Sequence, residues 1–167
     1  AECIELRQAR NLSEPYDALV LPGGESTVQG KLLKELGMFD IMKSQIENGM
    51  PVLATCAGAI LLAETIDGQM KGQPEQYFGT IPMCIKRNAY GRQLGSFHTE
   101  APVAGIGTVP MTFIRAPYIA SVEDGVEVLA VVEERIVGVK YKKQMAFSFH
   151  PELDPDVRIH KAFLEMI

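Results

Sequence analysis

Twice in its first 66 residues the chain passes from an almost unbroken apolar stretch, through a turn of small residues, into a helix pattern. "YDALVLPGG" (16–24) reads as a buried strand ended by Pro22 and two glycines. "ESTVQGKLLKELGMFDIMKSQIENG" (25–49) follows, with Leu32, Leu33, Leu36, Phe39, Met42 and Ile46 at helical spacing. That spacing predicts one or two amphipathic helices, broken near Gly37 and stopped at Gly49. "MPVLAT" (50–55) is a second buried strand and "GAILLAETI" (58–66) a helix. Strands without polar alternation are buried on both faces, and strands joined through helices make a parallel sheet covered on each side.

The second half changes period. "TIPMCIKRNAYG" and "PMTFIRAPYI" read as strands joined by the Gly- and Pro-rich "EAPVAGIGTVP". "VEVLAVVEERIVGVKYKKQMAFSFHPE" alternates and turns as a run of short antiparallel strands, and "DPDVRIHKAFLEMI" closes with a helix pattern. There is no internal repeat, low-complexity tract or linker. The expected architecture is therefore one α/β domain in three layers, with a mostly parallel central sheet, helices on both faces and an antiparallel extension.

A length of 167 residues allows one domain with a sizeable core, and 47% apolar with 22% charged residues argues against disorder. The net charge of -5 leaves no basic stripe, and no nucleic-acid motif is present, so nucleic acid is not an expected partner. No apolar run reaches the roughly 18 residues of a membrane span, and the opening "AECIELRQAR" leads to no expectation of a secretory leader. Cys3, Cys56 and Cys84 make no metal-ligand spacing, and their odd number argues against a disulfide framework. Free thiols in a reducing, cytoplasmic setting are expected.

One polar, reactive atom interrupts the second apolar stretch. Cys56 falls between the strand ending at Thr55 and the helix starting near Gly58. A buried cysteine is commonly a small hydrophobe. At a strand-to-helix turn it has a second use, because unpaired N–H groups at the helix start favour a thiolate and can hold an oxyanion. Ala57 and Gly58 are small enough for a substrate to approach. Such a nucleophile needs a base, and the base an orienter. "SFHPE" offers His150 and Glu152, two residues apart around Pro151, facing one side if the segment is extended. A structural histidine in a polar turn fits the same residues. His98 falls in a polar loop and His160 on a surface helix. "LPGGEST" (21–27) adds two glycines able to aim N–H groups into a cleft, with Glu25, Ser26 and Thr27 as the capped start of a helix. It is neither a P-loop nor a GxGxxG fingerprint.

A Gly-Gly turn, Cys-Ala-Gly after a strand and His-Pro-Glu near the end, in that order, resemble the class I (triad) glutamine amidotransferases. "LPGGEST", "TCAGAILLA", "RNAYGRQLGSF", "FIRAP" and "SFHPEL" resemble the glutaminase subunits of pyridoxal 5′-phosphate synthases in particular, from about residue 16 to the C-terminus. The resemblance implies hydrolysis of L-glutamine to L-glutamate and ammonia, without metal or organic cofactor, the ammonia passing to a separate synthase subunit. It implies Cys56 as nucleophile, His150 and Glu152 as its relay, and Gly24, Glu25, Ser26, Arg87, Ile114 and Arg115 as glutamine contacts. The N–H groups of Gly24 and Ala57 would form the oxyanion hole. Read without it, each arginine is a surface residue or a carboxylate clamp. Members of the family begin with a strand, a Gly-Leu-Gln-Gly-type turn and a helix ahead of the segment matching "AECIELRQAR". Residues 1–167 are thus expected to form a single glutaminase domain lacking those elements. A glutaminase serving another synthase, and a non-catalytic binding subunit of the same fold, stay open as alternatives.

Overall fold

The structure is a computed structural model, and it describes residues 1–68, 76–87 and 96–167. Its first unit is strand β1 (Leu19–Leu21) followed by helices α1 (Ser26–Glu35) and α2 (Phe39–Glu47). The helix break falls at Gly37, with φ 67°, and the stop at Gly49, with φ 95°. At both, the glycine N–H and the next residue's N–H turn back onto the last helical carbonyls. That closure needs a residue in the left-handed region, which glycine enters without penalty.

Strand β2 (Val52–Thr55) and helix α3 (Ala57–Leu62) form the second unit. The helix expected over 58–66 ends at Leu62, and Ala63–Ile66 is instead strand β3, paired parallel with β4 (Ile81–Lys86). The cause is tertiary. The Leu61 carbonyl accepts the N–H of Phe78 at 2.6 Å, so residues far along the chain take the place of the next helical turn.

Beyond this the sequence expectations need further correction. "EAPVAGIGTVP" is no connecting loop: β5 (Ser96–Val103) and β6 (Gly107–Ile114) pair antiparallel throughout as a separate hairpin, and His98 lies on β5. Alternate residues of β6 are buried, so the hairpin gains a face to pack that glycine and proline content concealed. "PMTFIRAPYI" is two strands, because Arg115 at φ 44° turns the chain before β7 (Tyr118–Val122). The strand expected over 80–91 runs to Lys86, and its residues 88–91 lie outside the described residues.

β8 (Glu127–Val132), β9 (Arg135–Tyr141) and β10 (Gln144–Phe147) complete the main sheet, whose order is β1-β2-β10-β9-β7-β4-β3 with β8 on β9. β10 is antiparallel to β9 but parallel to β2, so it joins the extension to the parallel part. Helix α4 (Arg158–Leu164) follows.

Side chains alternate between two cores. Val52, Ala54, Ala146 and Val139 face α1, α2 and α3 with Leu21, Met42, Leu61 and Phe78. Leu53, Met145, Phe147 and Val137 face the hairpin and α4 with Met111, Phe113, Ile159 and Phe163. Each fully buried Val, Leu, Ile, Met or Phe side chain among them adds roughly 1.5–3 kcal/mol. The result is three layers, with helices on one face and a helix plus hairpin on the other. No helix among the described residues is long and apolar enough to cross a membrane.

α3 packs onto β1 with no room to spare. An ideal Cβ at Gly58 would stand 2.0 Å from the Leu21 carbonyl oxygen, a backbone atom that cannot swing aside. Gly58→Ala should therefore lower stability by about 3 kcal/mol or prevent folding, the upper range for overpacking. Urea denaturation followed by circular dichroism measures it, and an unchanged midpoint would show that α3 sits farther from β1.

Candidate active site

β1, β2 and β10 run parallel and end level, with Leu21 opposite Ala54 and Thr55 opposite Phe147. Clefts of α/β sheets open beyond such strand ends, and here three chain segments leave together. From β2 comes Cys56, whose φ of 49° and ψ of -105° put it in a region that side-chain-bearing residues avoid. Strain of this kind, on the order of 1–3 kcal/mol, persists where the surroundings over-determine it. They do so here: the Cys56 N–H donates to the Phe147 carbonyl at 2.8 Å, and the Cys56 carbonyl already accepts from Ile60 as the first bond of α3. The thiol is free and only 7% exposed. Ala57 is the first residue of α3, so its N–H has no acceptor within the helix.

From β10 comes His150. Its N–H donates to the Thr112 carbonyl of β6 at 2.8 Å, which ties the site to the hairpin. Its Nδ1 lies 2.7 Å from Glu152 Oε1. The segment between them is not extended, as the i to i+2 spacing suggested. Pro151–Leu153 is one turn of 3-10 helix, and the turn brings the carboxylate back to the ring. The His150 pKa is raised from 6.5 to about 10, first by its hydrogen bond with Cys56, then by that with Glu152, against the effect of burial. Burial also opposes ionisation of Glu152. The bond from His150, the residue's own N–H and the charges of His150 and His160 outweigh it and hold the carboxyl below its ordinary value. Cys56, His150 and Glu152 are thus one connected chain of groups.

From β1 comes the Pro22-Gly23-Gly24 turn. Gly23 lies against His150, since a Cβ there would stand 2.4 Å from the ring's Cε1. Sequence reasoning assigns only Gly24; its neighbour in the Gly-Gly pair is the available signal. Gly24 has φ 140° and is exposed. Glu25 caps α1, its carboxylate accepting from the N–H groups of Thr27 and Val28; against burial, those bonds first and then the charge of Arg87 hold its pKa below the ordinary value. The carboxylate is committed to the helix start, so Glu25 shapes the turn. Ser26 is buried as the first residue of α1.

Arg87 is half-buried at the end of β4, where its Nη1 donates to Thr27 Oγ1 at 3.3 Å and its guanidinium lies over the Tyr77 ring at 5.2 Å. The sequence marks Thr27 only as part of the capped helix start, and nothing in its spacing marks Tyr77. The rest of the "RNAYGRQ" motif, residues 88–93, lies outside the described residues. Ile114 and Arg115 are exposed at the end of β6, just past Thr112. His98 joins Thr112 Oγ1 at 3.0 Å and faces Asp154 at 3.7 Å. Cys84 lies on β4 and Cys3 is exposed near the start of the chain. No cluster of His, Cys, Asp and Glu among the described residues would hold a metal ion.

The arrangement offers a cysteine sulfur, an imidazole hydrogen-bonded to it, a carboxylate behind the imidazole and the unpaired Ala57 N–H at the helix start, the kind of set acyl transfer through a thioester needs. Over residues 1–167 the chain matches the model of the SNO glutamine amidotransferase family. It is 57% identical over 166 residues to the pyridoxal 5′-phosphate synthase subunit PdxT of Desulfitobacterium hafniense strain Y51, covering 99% of this chain and 81% of that protein. The subunit of the same name from Haemophilus influenzae strain PittEE is 49% identical over 168 residues, covering 99% and 85%. A crystal structure of a glutamine amidotransferase superposes with a TM-score of 0.92 at 41% identity, covering 99% of this chain and 86% of that one.

The His150 ring should keep its second proton to about pH 10 in the wild type. Because the bond with Cys56 is the largest cause, Cys56→Ala should lower the midpoint more than Glu152→Gln does. Imidazole NMR titration reads both; a wild-type midpoint near 6.5 would mean that the three groups do not interact.

Proposed function

Because this chain belongs to the SNO glutamine amidotransferase family, we infer that it is the glutaminase subunit of a pyridoxal 5′-phosphate synthase. It hydrolyses L-glutamine to L-glutamate and ammonia, and a separate synthase subunit takes up the ammonia. The observation that carries the reading is Cys56, strained on its turn and joined through His150 to Glu152. We read residues 1–167 as a single glutaminase domain.

In this reading Cys56 attacks the side-chain amide carbon of glutamine as the thiolate, its proton resting on His150. The C–S bond forms and the carbonyl oxygen takes the negative charge, held by the N–H groups of Ala57 and Gly24. His150 gives its proton to the amide nitrogen, the C–N bond breaks and ammonia leaves a γ-glutamyl thioester. A water molecule, losing its proton to His150, then attacks the thioester; the C–S bond breaks, glutamate departs, and the thiolate beside a charged His150 is restored. Glu152 orients the ring and stabilises its charged form, the role of the carboxylate in a triad.

Arg87, with donors left over from Thr27, clamps the α-carboxylate of glutamine in this reading, since a planar guanidinium suits that group. Gly24, Ser26, Ile114 and Arg115 line the approach, and Glu25 fixes its shape. Three free cysteines suit a reducing, cytoplasmic setting.

Glutamate release, measured with and without the purified synthase subunit, tests this reading. Activity should rise when the partner is added and vanish in Cys56→Ala. His150→Asn should cost about a thousandfold and Glu152→Gln less, since the imidazole moves protons and the carboxylate positions it. Full activity in Cys56→Ala, or no hydrolysis by wild type with its partner, would overturn it.

A further inference from the structure

One polar side chain at the site has no part in the reaction just described. Gln29, one turn into α1, reaches back under the Pro22-Gly23-Gly24 turn. Its Nε2 donates to the Pro22 carbonyl at 3.2 Å and to the Gly23 carbonyl at 3.1 Å. The same nitrogen would stand 3.1 Å from a Cβ on Gly24, so the amide lies directly against the turn. Its Oε1 is buried and has no partner among the described residues.

That last feature separates a functional amide from a filler. A buried acceptor without a partner is destabilising, and an apolar side chain of the same length would avoid it. The position therefore gains from the donor. What the donor does follows from peptide planarity: in a trans peptide the C=O and the next N–H point in opposite directions. Holding the Pro22 and Gly23 carbonyls on the α1 side turns the N–H groups of Gly23 and Gly24 away from α1. The turn's other neighbour is the His150 ring, which lies against Gly23. Gly24, at φ 140°, has no side chain to resist rotation of this peptide plane, so the plane needs an external hold.

We propose that Gln29 is a positioning residue for glutamine hydrolysis: its amide grips two successive carbonyls of the glycine turn and so keeps the Gly24 N–H turned toward the oxyanion. The inference rests on the glutaminase reading and on the place of Gly24 in it. Gln29 touches neither Cys56 nor the amide being cleaved, so the effect falls on the rate of the chemical step and not on ground-state binding.

The test compares wild type, Gln29→Met and Gln29→Glu, each with the synthase subunit. Methionine keeps the length without the donor, and glutamate keeps the shape but offers only acceptors to the two carbonyls. Both variants should lose about tenfold to a hundredfold in kcat, below the ~10²–10³ cost of deleting an oxyanion donor outright, with KM changed little. Alkylation of Cys56 by iodoacetamide is a direct displacement that forms no oxyanion, so its rate should match wild type in both.

Wild-type kcat in both variants, or a raised one, would overturn the inference while leaving the glutaminase reading intact. Parallel loss of hydrolysis and alkylation would also overturn it, because Gln29 would then act through Cys56 and His150. An inactive wild type would sink both readings together. Far-ultraviolet circular dichroism on each variant establishes that it is folded.

Discussion

The parallel ladder of β1, β2 and β10 is the constraint on which the site depends. Three strands that share a register end at one height, so the segments leaving them meet: the glycine turn after Leu21, Cys56 after Thr55, and His150 three residues beyond Phe147. A slip of one residue would move a strand end by about 3.3 Å and exchange its two faces. The Cys56 N–H would lose the Phe147 carbonyl that holds its unusual backbone, and the core residues of β2 would trade sides. Full burial of β2 and β10 makes such a slip costly, so the core enforces the geometry of the chemistry.

Two glycines convert that register into contact. Gly58 lets α3 close onto the Leu21 carbonyl, and Gly23 lets the turn close onto the His150 ring. At both places a β-carbon would meet atoms well inside van der Waals distance. The three segments are as close as backbones and rings allow, and there electrostatics takes over. His150 sits between Cys56 and Glu152, and the hydrogen bonds on its two sides outweigh the burial that would otherwise discharge it. The charged imidazole in turn holds Glu152 ionised. Cys56 contributes most to the charge on the ring, and Glu152 on the other side adds to it.

The face of the sheet opposite the helices also reaches the site. Thr112 of the β5–β6 hairpin accepts the His150 N–H through its carbonyl and meets His98 through its hydroxyl. Phe113, one residue on, packs beside Phe149 with ring centroids 5.6 Å apart. The hairpin therefore braces the histidine from behind, while the rest of it covers the second core.

Much of this was legible in the residues themselves. Unbroken apolar strands followed by glycine turns and amphipathic helices specify a covered parallel sheet, because burial on both faces leaves no room for polar alternation. A cysteine between a strand and a helix, with His-Pro-Glu later, offers candidate reacting groups through their chemistry. Contacts between distant residues were not legible. Leu61 ends α3 early by accepting from Phe78, 17 positions on, and β10 chooses β2 as its parallel neighbour across the sheet. Gln29 and Tyr77 carry no pattern at all; their place beside the turn and Arg87 follows from how α1, β1 and β4 pack. The sequence by itself determined the covered parallel sheet and the candidate reactive side chains, since period and residue type are local properties. Only the tertiary structure decided which of those side chains meet, because that depends on strand register and on the close approach that two missing β-carbons allow.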